Sequence, residues 1–217
     1  MKLSPHADVC APTIVDYGVG NVESLRNMIE FIGGDCHVSR DEDDISRADK
    51  LILPGVGAFD HAIQQLHASG LRDSLDKAVL ERKVPVLGVC LGMQLLGEGS
   101  EEGQLPGLGW IEATSCKFET QGRADLKVPN NGWCLATTRR DDCLMGIAGS
   151  LQRYYFNHSY YVECEHPEDV VATFDFAGDI CCAVQRDNVW GVQFHPEKSH
   201  RSGMELMSRF LQLQVPT

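Results

Sequence analysis

Hydrophobic and polar positions fall into two textures along the chain. In the first half, short continuous apolar runs alternate with stretches whose apolar residues lie three and four apart. Thr13-Ile14-Val15-Asp16 and Lys50-Leu51-Ile52-Leu53 read as buried strands, as does Val84-Pro85-Val86-Leu87-Gly88-Val89. Between the first two, Val22 to Ile32 places Val22, Leu25, Ile29 and Ile32 on one helical face, and Gly33-Gly34 supplies the stop. Phe59 to Ala68 and Leu71 to Arg82 carry the same helical spacing. Strands that alternate with amphipathic helices predict βαβ units, hence a parallel sheet with helices on both faces.

From about Trp110 the texture changes. β-prone runs follow one another at Tyr154-Tyr155-Phe156, Ser159 to Val162, Val170 to Phe174, Cys181 to Gln185 and Val189 to Phe194. Asp187-Asn188 predicts a hairpin turn between the last two, and Gly203 to Leu213 predicts a closing helix. The acidic run Arg40-Asp41-Glu42-Asp43-Asp44 reads as a solvated loop. The predicted fold class is therefore α/β: a mostly parallel central sheet with helices on both faces, plus a β-rich second half. At 217 residues, a single domain over 9–214 is expected, behind a short N-terminal extension at 1–8.

One turn carries chemistry. The third apolar strand runs into Gly88-Val89-Cys90-Leu91-Gly92, and Met93-Gln94-Leu95-Leu96 begins a helix. A small-x-nucleophile-x-small pattern between strand and helix is the form of a nucleophile elbow. Side chains at the flanking glycines would crowd such a turn, and the central residue projects at the top of the sheet. With Cys90 in that place, the implied chemistry is thiolate attack and a covalent thioester.

A nucleophilic cysteine needs a base. His195 is the best placed of eight histidines, because it directly follows an apolar strand, where open α/β sheets form their sites. Glu197 lies two residues on, spaced to hold the imidazole in one tautomer and to stabilise the imidazolium. Pro54-Gly55-Val56-Gly57 also follows a strand end, and its N–H groups, with the N–H after Cys90, are candidates to meet a developing oxyanion. Gly18-Val19-Gly20 lacks the third glycine of a dinucleotide fingerprint, that place being Glu23, and reads as a turn. Phe156-Asn157-His158-Ser159-Tyr160-Tyr161 is a polar cluster among aromatics, as consistent with an ordinary strand as with a site.

Composition narrows the classes. A net charge of −12 argues against a nucleic-acid or anionic-membrane partner. The nine cysteines are scattered without a Cys-x-x-Cys pair, there is no His-Glu-x-x-His, and no run ends in Gly-Lys-Ser/Thr. No metal and no cofactor are expected. Met1 to Pro12 has no apolar core of a secretory signal, so a cytoplasmic location with reduced thiols is expected.

Taken together and in order, Pro54-Gly55-Val56-Gly57, Cys90-Leu91-Gly92-Met93-Gln94, His158-Ser159-Tyr160 and Gln193-Phe194-His195-Pro196-Glu197-Lys198 resemble the motifs of class I, triad-type glutamine amidotransferases. More narrowly, Asp16-Tyr17-Gly18-Val19-Gly20-Asn21, Leu51 to Phe59 and Gly107-Leu108-Gly109 resemble the glutaminase subunits of imidazole glycerol phosphate synthases, from about Ile14 to Phe210. The resemblance implies a flavodoxin-like amidotransferase fold that hydrolyses L-glutamine to L-glutamate and ammonia. It implies Cys90 as nucleophile, His195 as acid and base, and Glu197 as its orienter. Gly57 and Leu91 would flank the oxyanion through their backbones. Gln94, Glu102, Ser159 and Tyr160 would hold glutamine. It also implies a (β/α)8-barrel synthase, the cyclase of histidine biosynthesis, as the partner that receives ammonia.

Where these subunits commonly carry Val-Pro-His-Met-Gly-Trp-Asn, this chain has Val128-Pro129-Asn130-Asn131-Gly132-Trp133-Cys134. In the family this segment lies toward the synthase, so Asn130 and Trp133 are candidate interface or gate residues. The departure leaves open a paralogue that feeds another synthase, such as one acting on a nucleotide sugar. A peptidase or amidase on a similar elbow, and a silent regulatory subunit of the same fold, are the other readings; intact Cys90, His195 and Glu197 argue against silence.

Overall fold

The computed structural model describes residues 10–120, 122–123, 126–176 and 178–214. The expected extension at 1–8 lies outside the described residues. The strands are β1 (Thr13–Val15), β2 (His37–Ser39), β3 (Leu51–Gly55), β4 (Val86–Cys90), β5 (Gly99–Ser100), β6 (Ala113–Lys117), β7 (Asn130–Thr138), β8 (Leu151–His158), β9 (Tyr160–Cys164), β10 (Val170–Asp175), β11 (Asp179–Arg186) and β12 (Val189–Val192). The helices are α1 (Val22–Phe31), α2 (Glu42–Arg47), α3 (Phe59–Ala68), α4 (Arg72–Asp76), α5 (Leu91–Leu95) and α6 (His200–Leu211).

Nine strands form one sheet in the order β2-β1-β3-β4-β12-β11-β10-β7-β8. The pairs from β2 through to β12 are parallel. Beyond β12 every pair is antiparallel. The β-rich second half thus continues the central sheet, and β12 is the hinge between its two halves. Asp187 at φ +51 makes the tight turn into β12 that the sequence predicts. A small sheet, β5-β6-β9, stands apart.

Strand residues alternate between two cores. Leu51 and Leu53 pack with α3, α4 and α5 through Ile63, Leu66, Leu75 and Leu95, while Ile14 and Ile52 pack with α1 and α6 through Ile29, Leu206 and Phe210. Leu51, Ile52 and Leu53 are fully buried. Each such side chain contributes about 1.5–3 kcal/mol by leaving water. Lys50, at the foot of β3, is also buried, and its Nζ donates to the Leu211 carbonyl. A cation on the last carbonyls of a helix complements its dipole, so β3 anchors the end of α6.

Two local expectations change. The acidic run is a helix start rather than a loop: Asp41 caps α2 by accepting from the Asp43 and Asp44 N–H groups at 2.9 and 3.3 Å. Its acidic neighbours complement the N-terminal dipole. The stretch expected as one helix to Arg82 begins as α4 and finishes in a single π turn over Lys77–Glu81. No described helix is long and apolar enough to cross a membrane.

Candidate active site

The parallel register brings three strand ends to one edge. Gly55 of β3 pairs with Cys90 of β4, and Val192 of β12 pairs with Val89. The residues that follow β12 therefore emerge beside Cys90, at the C-terminal edge where open parallel sheets bind ligands.

Cys90 itself is the strained residue, at φ +57 and ψ −112. Neither Gly88 nor Gly92 needs a positive φ. They supply space instead. A Cβ on Gly92 would lie 1.9 Å from the Leu53 carbonyl oxygen, and one on Gly88 would lie 2.7 Å from the Gly92 oxygen. Gly55 is under the same constraint, 2.5 Å from the Gly92 nitrogen. Such an approach lets α5 start directly above β3 and β4, with Cys90 held out at the turn. A non-glycine residue held at such an angle marks a site where surrounding packing enforces strain.

The Gly18-Val19-Gly20 turn has a supporting role. Gly20 packs on Pro54, where a Cβ would come within 2.8 Å, and the Tyr17 hydroxyl donates to the Pro54 carbonyl at 2.6 Å. This fixes the strand that leads to Gly57, which sits at φ +95 with open space around its Cα.

His195 is fixed from both sides. Its N–H donates to the Tyr155 carbonyl at 2.9 Å. The Ser199 hydroxyl accepts from the Tyr155 N–H at 3.0 Å and donates to the His195 carbonyl at 2.6 Å. The His195 Nδ1 lies 2.8 Å from Glu197 Oε1, with side chains 5% and 2% exposed. Burial pulls the His195 pKa down, but hydrogen bonds to the Cys90 sulfur and to Glu197 outweigh it and push it up to about 9. The imidazole is thus set up in its charged form at neutral pH, beside the Cys90 sulfur.

A cavity of about 310 Å³ opens over these residues. That is at the small end for ligand sites, which span roughly 300–1,000 Å³. Cys90, His195, Gly57, Leu91, Gln94, Glu102, Ser159 and Tyr160 all line it. Gln94 is buried, and its Nε2 donates to the Tyr160 carbonyl at 3.2 Å and to Gln193 Oε1 at 3.0 Å. Glu102 is exposed; its Oε2 accepts from the Phe59 N–H at 2.8 Å.

Asn130 and Trp133 do not line the cavity. Asn130 reaches it indirectly, with Nδ2 3.2 Å from His158 Nε2. Trp133 is 36% exposed and stacks on His200 at 5.3 Å, with the Arg153 guanidinium 5.3 Å from its ring. Four lining residues had no role assigned from sequence: Pro129, Asn157, His158 and Lys198. His158 is buried with Nδ1 2.8 Å from the Tyr160 carbonyl. Burial, with a contribution from the His195 charge, lowers its pKa to about 4, so it is a neutral imidazole beside a charged one. A larger cavity, about 600 Å³ beside α1, β2 and α2, contains none of the residues singled out for chemistry.

Residues 13–213 match the family described as "Glutamine amidotransferase class-I", and the chain belongs to that family. It is 46% identical to the imidazole glycerol phosphate synthase subunit HisH 2 of Pseudomonas aeruginosa, covering 92% of this chain and 98% of that one. It is 45% identical to the subunit HisH of Leptospira interrogans, again over 92% and 98%. Among solved structures, a glutamine amidotransferase superposes with a TM-score of 0.72 at 19% identity, over 92% of this chain and 97% of that one. A glutamine amidotransferase of Thermotoga maritima gives 0.61 at 15% identity, over 95% and 82%. These two show the shared fold.

Proposed function

We propose that this chain is the glutaminase subunit of an imidazole glycerol phosphate synthase. It hydrolyses L-glutamine to L-glutamate and ammonia and passes the ammonia to a (β/α)8-barrel cyclase in histidine biosynthesis. The observation that carries this reading is the convergence of Cys90 and His195 on one small polar cavity, with Glu197 buried behind the imidazole and 2.8 Å from its Nδ1. The relatives named HisH, matched over nearly their whole length, support the pathway.

In this mechanism the Cys90 sulfur attacks the side-chain amide carbon of glutamine. Negative charge builds on the amide oxygen, where the backbone N–H groups of Gly57 and Leu91 receive it. Leu91 opens α5, so its N–H has no acceptor within the helix. The His195 imidazolium gives its proton to the departing nitrogen, the C–N bond breaks, and ammonia leaves a γ-glutamyl thioester on Cys90. His195, now neutral, takes a proton from water as the water attacks the thioester, and glutamate departs with the thiolate restored. Glu197 holds the imidazole and stabilises its charged form throughout.

Gln94, with both N–H groups engaged, has its carbonyl oxygen left for the substrate. The free oxygen of Glu102 suits the substrate ammonium, and Ser159 and Tyr160 complete the head-group site. Asn130 and Trp133 belong to the face toward the cyclase. The same reading puts the enzyme in the cytoplasm, where a reducing pool keeps Cys90 as a thiol.

Asn130 and Cys134, two of the departures from the common interface sequence, contact each other, with the Cys134 Sγ 3.7 Å from Asn130 Oδ1. They favour a second reading, the same glutaminase serving another acceptor. One experiment tests both. The synthase that copurifies with the chain is identified, and glutamine hydrolysis is measured with each candidate acceptor. Stimulation by the ribonucleotide precursor of imidazole glycerol phosphate supports the first reading, and stimulation by a nucleotide sugar alone replaces it with the second.

A further inference from the structure

Gln193 has no part in the mechanism above, yet it is fully buried at the end of β12, next to the nucleophile. Its backbone N–H is held by the Cys182 carbonyl at 2.9 Å. Its side chain lies between Gln94 and Cys90: Oε1 is 3.0 Å from Gln94 Nε2, and Nε2 is 3.9 Å from the Cys90 sulfur. That distance is at the long end for a sulfur acceptor. Catalytic hydrogen bonds are often long before substrate is bound.

The sense of this contact follows from the hydrogen-bond network. Side-chain amides have two possible orientations, and neighbours decide between them. The deciding neighbour is the Tyr160 carbonyl, which only accepts. It stands 3.2 Å from Gln94, so the nitrogen of that amide faces it. The second N–H of Gln94 then requires an acceptor, and Gln193 presents its oxygen. The Gln193 nitrogen is left facing Cys90. The reverse orientation would place two donors against each other in a buried site.

On its other side the same carbonyl takes the Nδ1 proton of His158 at 2.8 Å. This makes His158 Nε2 an acceptor for the Asn130 amide at 3.2 Å. Every link agrees in polarity.

We propose that Gln193 is a catalytic residue whose side-chain amide donates a hydrogen bond to the Cys90 sulfur and favours the thiolate, with the Tyr160 carbonyl setting the direction of the donor chain. The proposal rests on Cys90 being the nucleophile. A donor aimed at a sulfur that is negative in one protonation state and neutral in the other stabilises the negative state. His195 approaches Cys90 as a charged donor, and Gln193 is a neutral donor whose contribution does not depend on pH. It is therefore available both when the thiolate attacks and when the thiolate leaves again from the thioester.

The test follows covalent labelling of Cys90 by a chloroketone analogue of glutamine as a function of pH, with the modified peptide located by mass spectrometry. Gln193→Met keeps the volume and removes the donor. Gln193→Glu keeps an acceptor for Gln94 and turns an oxygen toward the sulfur. In both, the acid midpoint of labelling is expected to rise by roughly one pH unit, a tenfold loss of thiolate below it. The midpoint belongs to the Cys90–His195 pair as a whole. An unchanged midpoint in either folded variant overturns the proposal. In the unmodified protein, the Gln193 side-chain amide resonance is expected to shift through the same midpoint; a resonance flat across it overturns the proposal without any variant. If the reagent does not modify Cys90 in the unmodified protein, the nucleophile assignment itself fails, a distinct outcome that removes the proposal as well.

Discussion

His195 Nδ1 stands 2.8 Å from Glu197 Oε1 across a single intervening proline, and the carboxylate is shut away from solvent. The other carboxylate oxygen, Oε2, is buried without a hydrogen-bond partner among the described residues. A half-satisfied buried carboxylate is costly, and it is tolerated here opposite a group that carries positive charge. Replacing it with an amide should therefore act through the imidazole. Glu197→Gln is expected to move the alkaline limb of kcat/KM below pH 9, because the carboxylate helps hold the His195 pKa up at about 9. It is also expected to lower kcat/KM by about tenfold or more. The pH–rate profile of the variant in its synthase complex checks this. An alkaline limb that stays in place would mean that Glu197 does not set the charge of His195.

The elbow makes a sharp prediction about stability. A Cβ on Gly92 would meet the Leu53 carbonyl oxygen at 1.9 Å, and that oxygen belongs to a central strand. Gly92→Ala is expected to cost about 3 kcal/mol or more in urea unfolding, at the upper end for an inserted methyl group, because backbone rather than a side chain has to move. Gly57→Ala meets nothing within 4 Å and is expected to cost only about 1 kcal/mol, from its φ of +95 alone.

His158 gives a pH signature. Its folded pKa is about 4 and its ordinary value 6.5, so between these the unfolded chain holds a proton that the folded chain lacks. Stability should then fall as pH drops through that window, by up to about 3 kcal/mol from this group. His158→Gln is expected to flatten the stability curve between pH 6.5 and 4 relative to the parent. The same steepness in both proteins would mean that the imidazole is not held neutral.

Much of the site was legible in the sequence because its chemistry sits at the punctuation of the pattern. Cys90 and His195 each close an apolar strand, and Glu197 lies within two residues of its partner. Gln193 is different. It interrupts an apolar run as a lone polar residue, and nothing in the alternation says that β12 lies beside β4 and so beside Cys90. Only the parallel register of Val192 with Val89 reveals that. His158 was visible as part of a polar cluster, but its tautomer depends on the Tyr160 carbonyl and on Asn130, a contact made across the β7–β8 pair. The acidic run at 41–44 misled because charge density resembles a loop, while the N-terminus of a helix also draws acidic residues.

Exposed apolar positions were least legible from periodicity. Trp133, Leu135 and Leu151 keep 36–62% of their surface exposed on β7 and β8. Alternation alone reads such positions as a solvent face.

The central claim is that a thioester on Cys90, formed as ammonia departs, lies on the path from glutamine to glutamate. Its most direct test is acid quenching of the synthase complex during turnover, followed by mass analysis of the peptide that contains Cys90, with Cys90→Ala run in parallel. The expected result is a γ-glutamyl adduct on Cys90 and no glutamate formation by the alanine variant. Glutamate formed at the parental rate by Cys90→Ala, with no adduct in the parent, would contradict it.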